Sequence, residues 1–115
     1  AGDSYTLGMG LFQPKKKVMD NFRDEISYNA SEFEKETKKN VLKRGFDICG
    51  EEYKRPISND LSDYFQPWIQ RKGIWVAKTM PIGDEVYSSE FVKIIADDFI
   101  SLSWLYNFMK EVSTL

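Results

Sequence analysis

SEFVKIIADDFISLSWLYNFMKEV, residues 89–112, is the stretch on which the reading of this chain turns. Wound at about 100° per residue, it is a helix with a broad apolar face of Phe91, Ile95, Leu102, Leu105, Met109 and Val112. Val92, Phe99 and Tyr106 widen that face. Glu90, Lys93, Asp97, Ser101 and Glu111 form a narrow polar strip, so Asp97 is expected to face water despite its apolar neighbours. Ile100, Trp104 and Phe108 recur at i, i+4, i+8 beside that strip. A helix this apolar must be covered by its own domain, by a second subunit or by a partner. Either the segment around Trp68 and Trp75 covers the trio, or the trio is a contact surface, since large aromatic side chains dominate interface hot spots.

Upstream of this helix, Ser88 or Ser89 is placed to cap it, with Asp84, Glu85 and Glu90 on the favourable side of its dipole. Ile74-Trp75-Val76-Ala77 is short, rich in β-formers and bounded by Gly73 and Pro81, which predicts a strand. Its partner is expected to be Ser4–Phe12 or, through a hairpin over Met80-Pro81-Ile82-Gly83, Ile82–Tyr87. Leu61, Tyr64, Phe65, Trp68 and Ile69 predict a short helix capped by Ser58–Asp60. Pro67 divides it by clashing with the preceding turn. Leu42, Phe46, Cys49 and Tyr53 fall at helical spacing and predict a short helix over residues 46–55, with Cys49 on its buried face. Gly45 and Gly50 weaken that reading, at about 1 kcal/mol each relative to alanine.

Nearer the N-terminus, Val18, Phe22, Ile26, Ala30, Phe33 and Val41 predict one long amphipathic helix starting near Lys17 or Val18. It is irregular near Asn29 and runs to Arg44, with Gly45 as its cap. Residues 1–8 read as a flexible leader, Met9 being a candidate natural start, and residues 9–115 as a single globular domain. Proline at position 14 breaks the pattern an N-myristoylated Met-Gly start requires. The Asn29-Ala30-Ser31 triplet is read as chance.

The composition argues against several chemistries. The 115 residues include no histidine and one cysteine, Cys49. Zinc sites and nucleophile–base pairs draw heavily on those residue types, so a structural zinc and Ser–His or Cys–His catalysis are not expected. An internal disulfide needs two cysteines. Glu51-Glu52, Asp84-Glu85 and Asp97-Asp98 are adjacent pairs that diverge on any helix, so no carboxylate-based metal or acid–base site is expected. Gly8-Met9-Gly10 lacks the strand–turn–helix setting of a phosphate loop. With 16 basic and 18 acidic residues the net charge is −2, which gives no long-range field for nucleic acid or an anionic membrane. No uncharged apolar run reaches the ~18 residues that span a bilayer. Lys35, Lys38, Lys39, Lys43 and Arg44 offer a basic helix face, but Glu32, Glu34 and Glu36 interleave with it and favour intrahelical ion pairs.

The fold class expected is therefore mainly α, a small helical domain with one short β hairpin or extended segment near residues 74–87, with α+β as the alternative. The function expected is that of a small non-enzymatic protein–protein interaction domain in the cytoplasm, without cofactor or metal. It would act as an inhibitor or immunity-type neutraliser, an adaptor or an assembly subunit. Its partner would be another protein or a second copy, met through Ile100, Trp104 and Phe108. The alternative is a nucleic-acid-binding regulator using Lys35, Lys38, Lys39, Lys43 and Arg44.

Overall fold

Ile74 and Val76 have no exposed surface, while Trp75 and Ala77 between them keep some. That alternation is the mark of a strand with one face in the core. In the computed structural model, which describes residues 3–57, 59–83 and 88–115, this strand is the middle of a three-stranded antiparallel sheet. We label its strands β1 (Asp3–Leu11), β2 (Asp47–Cys49) and β3 (Ile74–Ile82), in spatial order β1-β3-β2. β1 pairs with β3 along its whole length, from Asp3 opposite Ile82 to Leu11 opposite Ile74. β2 covers only Trp75, Val76 and Ala77.

Of the two expected partners, the N-terminal one is used. β3 continues straight through Pro81, where the proposed corner would have turned it back, and the remainder of that hairpin, residues 84–87, lies outside the described residues. Pro81 sits beyond the reach of β2, so on that side the strand has no ladder bond to lose. Residues 3–8, expected to be part of a flexible leader, are instead the first six positions of β1. Tyr5, Leu7, Met9 and Leu11 turn toward the core, and Ser4, Thr6, Gly8 and Gly10 turn away. At Gly10 the strands approach so closely that a Cβ would lie 2.3 Å from Cα of Trp75, which only glycine permits.

Helices cover one face of this sheet. α1 (Lys16–Tyr28) and α2 (Ala30–Thr37) carry Met19, Phe22, Ile26 and Phe33 inward at the expected helical spacing. Asn29 divides them: its backbone N–H bonds the carbonyls of Glu25 and Ile26, and its side-chain amide donates to Glu25 O at 2.9 Å. The helical path continues as a π-helical turn over Lys38–Leu42 and ends at Gly45, whose φ of 90° serves as the expected stop. At the junction Thr37, fully buried, donates to Phe33 O at 2.6 Å and shares a second hydrogen bond with the Tyr64 hydroxyl.

The helix expected over residues 46–55 is absent. Gly45 and Gly50 both take positive φ, and the segment between them extends as β2, with Ile48 beside Val76. Cys49 therefore stands on a strand opposite Trp75, half-buried, and not on a buried helical face. The Leu61–Ile69 segment is a 3-10 turn (Asp63–Phe65) leading into α3 (Gln66–Ile69), with Pro67 in the first turn where its missing N–H is harmless. Of the expected caps Ser58–Asp60, Asn59 accepts from Leu61 N through its Oδ1 at 2.7 Å, and Ser58 lies outside the described residues.

The C-terminal helix is two helices, α4 (Ser89–Ser101) and α5 (Ser103–Thr114). Ser101 and Ser103 donate to the carbonyls of Asp98 and Ile100, both at 2.7 Å. Hydroxyls bonded back to the preceding turn bend helices, which accounts for the break at Leu102. Ser88 caps α4 as expected, accepting from Phe91 N at 3.1 Å. The result is an α+β domain whose core lies between the sheet and α1, α2, α3 and α5.

Candidate interaction surface

Of the thirteen residues in α4, only Asp98 is buried. Its Oδ1 accepts from Arg44 Nη2 at 2.8 Å and its Oδ2 from Lys78 Nζ at 3.0 Å. One cation thus meets each carboxylate oxygen. Arg44 follows the π-helical turn and Lys78 belongs to β3, so the carboxylate joins three elements distant in sequence. Phe46 closes the site, with the Lys78 ammonium 5.6 Å from its ring centroid. A buried, paired carboxylate fixes geometry more surely than it adds stability, because desolvation offsets much of the attraction. Here it fixes which side of α4 faces the sheet. Sequence reasoning singled out Asp97, which is exposed, and missed Asp98. Only the neighbours brought by the fold distinguish the two.

With Asp98 turned inward, Phe91 meets Tyr5 edge-on at 6.4 Å and Ile95 is half-buried. The opposite side of α4 is open. Val92 is 59% exposed, Phe99 58% and Ile100 69%, with Ala96 exposed between them. Next to Phe99, an apolar depression of about 380 Å³ is lined by Leu7, Met9, Leu102 and Tyr106. A second, of about 430 Å³, continues along Gly10 and Phe12 of the N-terminal segment toward Met109 of α5. Both lie beside β1, an edge strand.

The structure sorts the expected trio into two groups. Trp104 and Phe108 are half-buried and pack on the core: Phe33 lies 5.9 Å from Trp104 and 5.2 Å from Phe108, and Phe22 lies 5.8 Å from Phe108. The two rings stack on one another at 5.4 Å. Ile100 belongs to the exposed side of α4. The large apolar side chains exposed beside it are Val92 and Phe99 of α4 and Tyr106 of α5.

The basic face is also divided. Lys38 pairs with Glu34 at 2.9 Å and lies over the Tyr64 ring, and Arg44 is engaged with Asp98. Lys35, Lys39 and Lys43 are exposed and make no ion pair among the described residues. No cluster of three or more metal-ligating side chains occurs among the described residues. None of the described helices is long and apolar enough to cross a membrane.

These features define a small two-layer α+β domain with an uncovered apolar helix at its C-terminal side. The chain belongs to the DUF2461 family of conserved hypothetical proteins, whose model matches residues 1–108. No curated protein and no solved structure matches it.

Proposed function

We propose that this domain works by binding protein, as a neutraliser, adaptor or assembly subunit, and has no catalytic role of its own. One observation carries the reading: α4 commits a single aspartate to the interior and presents Val92, Phe99 and Ile100 to solvent. Contiguous apolar surface beside a ready groove is characteristic of interaction sites, whereas isolated exposed hydrophobes are ordinary. Lys35, Lys39 and Lys43, which make no ion pair among the described residues, support the alternative nucleic-acid reading less well, because two of the five expected basic residues are already engaged within the fold.

The test is the double variant Val92→Glu/Phe99→Glu, compared with the wild-type chain by native mass spectrometry of material purified from cells. The expected result is a stoichiometric protein complex for the wild type, lost in a variant with an unchanged circular-dichroism spectrum. A wild-type chain that is alone at every concentration and without a co-purifying protein would sink the reading.

A further inference from the structure

We infer that the cavity between α1, α2 and α5 is a binding site for an organic cation, an ammonium or guanidinium group carried on an aliphatic chain. Glu25, Asn29 and Glu32 follow one another at i, i+4, i+7 across the junction of α1 and α2. Trp104, Phe108 and Glu111 repeat that spacing on α5, and the two rows line one cavity of about 270 Å³. Concavities between packed helices are common places for small ligands. None of the residues lining this one belongs to α4, so the site is separate from the open apolar side of that helix.

Two independent features of the lining name the ligand. The first is aromatic. Trp104 and Phe108 stack on one another and rest on Phe33, yet both stay half-exposed and line the cavity. Aromatic rings attract cations through their quadrupole, and an aliphatic chain packs well along the same rings. The second feature is charge. Glu25, Glu32 and Glu111 bring three carboxylates to the cavity, and no lysine or arginine lines it. None of the three makes an ion pair among the described residues, and Glu25 Oε2 meets only the Asn29 amide, at 3.4 Å. Like charges gathered round one concavity repel, and a bound cation offsets that repulsion. A single metal ion does not fit, because the carboxylates are too dispersed to form a cluster of three ligands. A cation with length fits both features: its charged group reaches the carboxylates while its carbons cover the rings.

Two sources carry this chemistry, a free polyamine and the arginine side chain of a protein, so spermidine and acetyl-arginine amide are the probes. The readout is the indole N–H resonance of Trp104 in a proton–nitrogen NMR spectrum, assigned by its absence from Trp104→Phe. A saturable shift of that resonance is expected, while the indole of Trp68, fully buried elsewhere in the core, stays in place. Glu32→Gln/Glu111→Gln, at two exposed positions, preserves shape and fold and is expected to weaken binding at least tenfold. Saturation by spermidine alone identifies a polyamine site, and by acetyl-arginine amide alone a pocket for a partner's arginine; saturation by both upholds the shared chemistry. No saturable shift with either probe overturns the inference, as does equal affinity in the double variant. An equal shift on adding magnesium chloride at matched ionic strength also overturns it, since screening alone would then account for the change. The Val92→Glu/Phe99→Glu comparison reads the protein-binding proposal independently of all these outcomes.

Discussion

Trp104 and Phe108 face inward enough to be felt by the core, and Ile100 does not. Trp104→Ala and Phe108→Ala each strip aromatic contacts from Phe33, and we expect each to cost about 2–3 kcal/mol, somewhat below the range for a fully buried ring. Ile100→Ser, at a site 69% exposed, should stay within about 0.5 kcal/mol. Urea denaturation of the three variants checks this, and equal losses would contradict the packing. Asp98 supplies the second residue-level expectation. Arg44→Met or Lys78→Met leaves the carboxylate one cation, at a cost of about 1–2 kcal/mol each. Removing both leaves a buried charge unanswered, so the double variant should exceed the sum of the singles by about 1 kcal/mol or more. A double-mutant cycle measured by chemical denaturation reads this directly, and strict additivity would mean the two cations do not share the carboxylate.

At the level of elements, what could be read from the residues followed the range of the signal. Helical periodicity is local, so the inward positions of α1 and α2, the break at Asn29 and the Ser88 cap all follow from neighbours a few residues apart. β2 is three residues long, held by a pairing with residues 75–77, and no window around Asp47 contains that partner. β1 alternates through Tyr5, Leu7, Met9 and Leu11, so Ser4–Phe12 is readable as a candidate partner of β3, while the small and polar residues up to position 8 read equally as leader. The C-terminal helix was legible as an apolar rod yet not as two pieces, because Ser101 and Ser103 break it through hydroxyl bonds that look innocuous in a periodic pattern. The candidate surface was half legible for the same reason: spacing placed Ile100 beside Trp104 and Phe108, while the bend and Asp98 decided which of them met solvent.

For the molecule as a whole, the sheet depends on its first strand. Removing residues 1–8 would delete six of the nine positions of β1, vacate the site of the buried Leu7 and expose one edge of β3. We expect the truncated chain to lose cooperative thermal unfolding, or to melt at least 15 °C below the full chain. A near-unchanged transition followed by circular dichroism would show that those residues are dispensable. The surface carries its own consequence at this scale. The domain measures 47 × 27 × 27 Å, and this elongated shape encloses less of its apolar surface than a sphere of equal volume would.

The pairing of β1 with β3 also has a temporal side. Leu11, the β1 residue nearest its mate in sequence, sits opposite Ile74. A ribosome adding ~5–20 residues per second needs roughly 3–13 seconds to travel between them. Throughout that interval Leu7 and Met9 are already made and have no sheet to join. Nascent-chain chaperones would therefore find Leu7 and Met9 open during that interval, and synthesis speed between residues 12 and 74 should govern how much of the protein matures successfully.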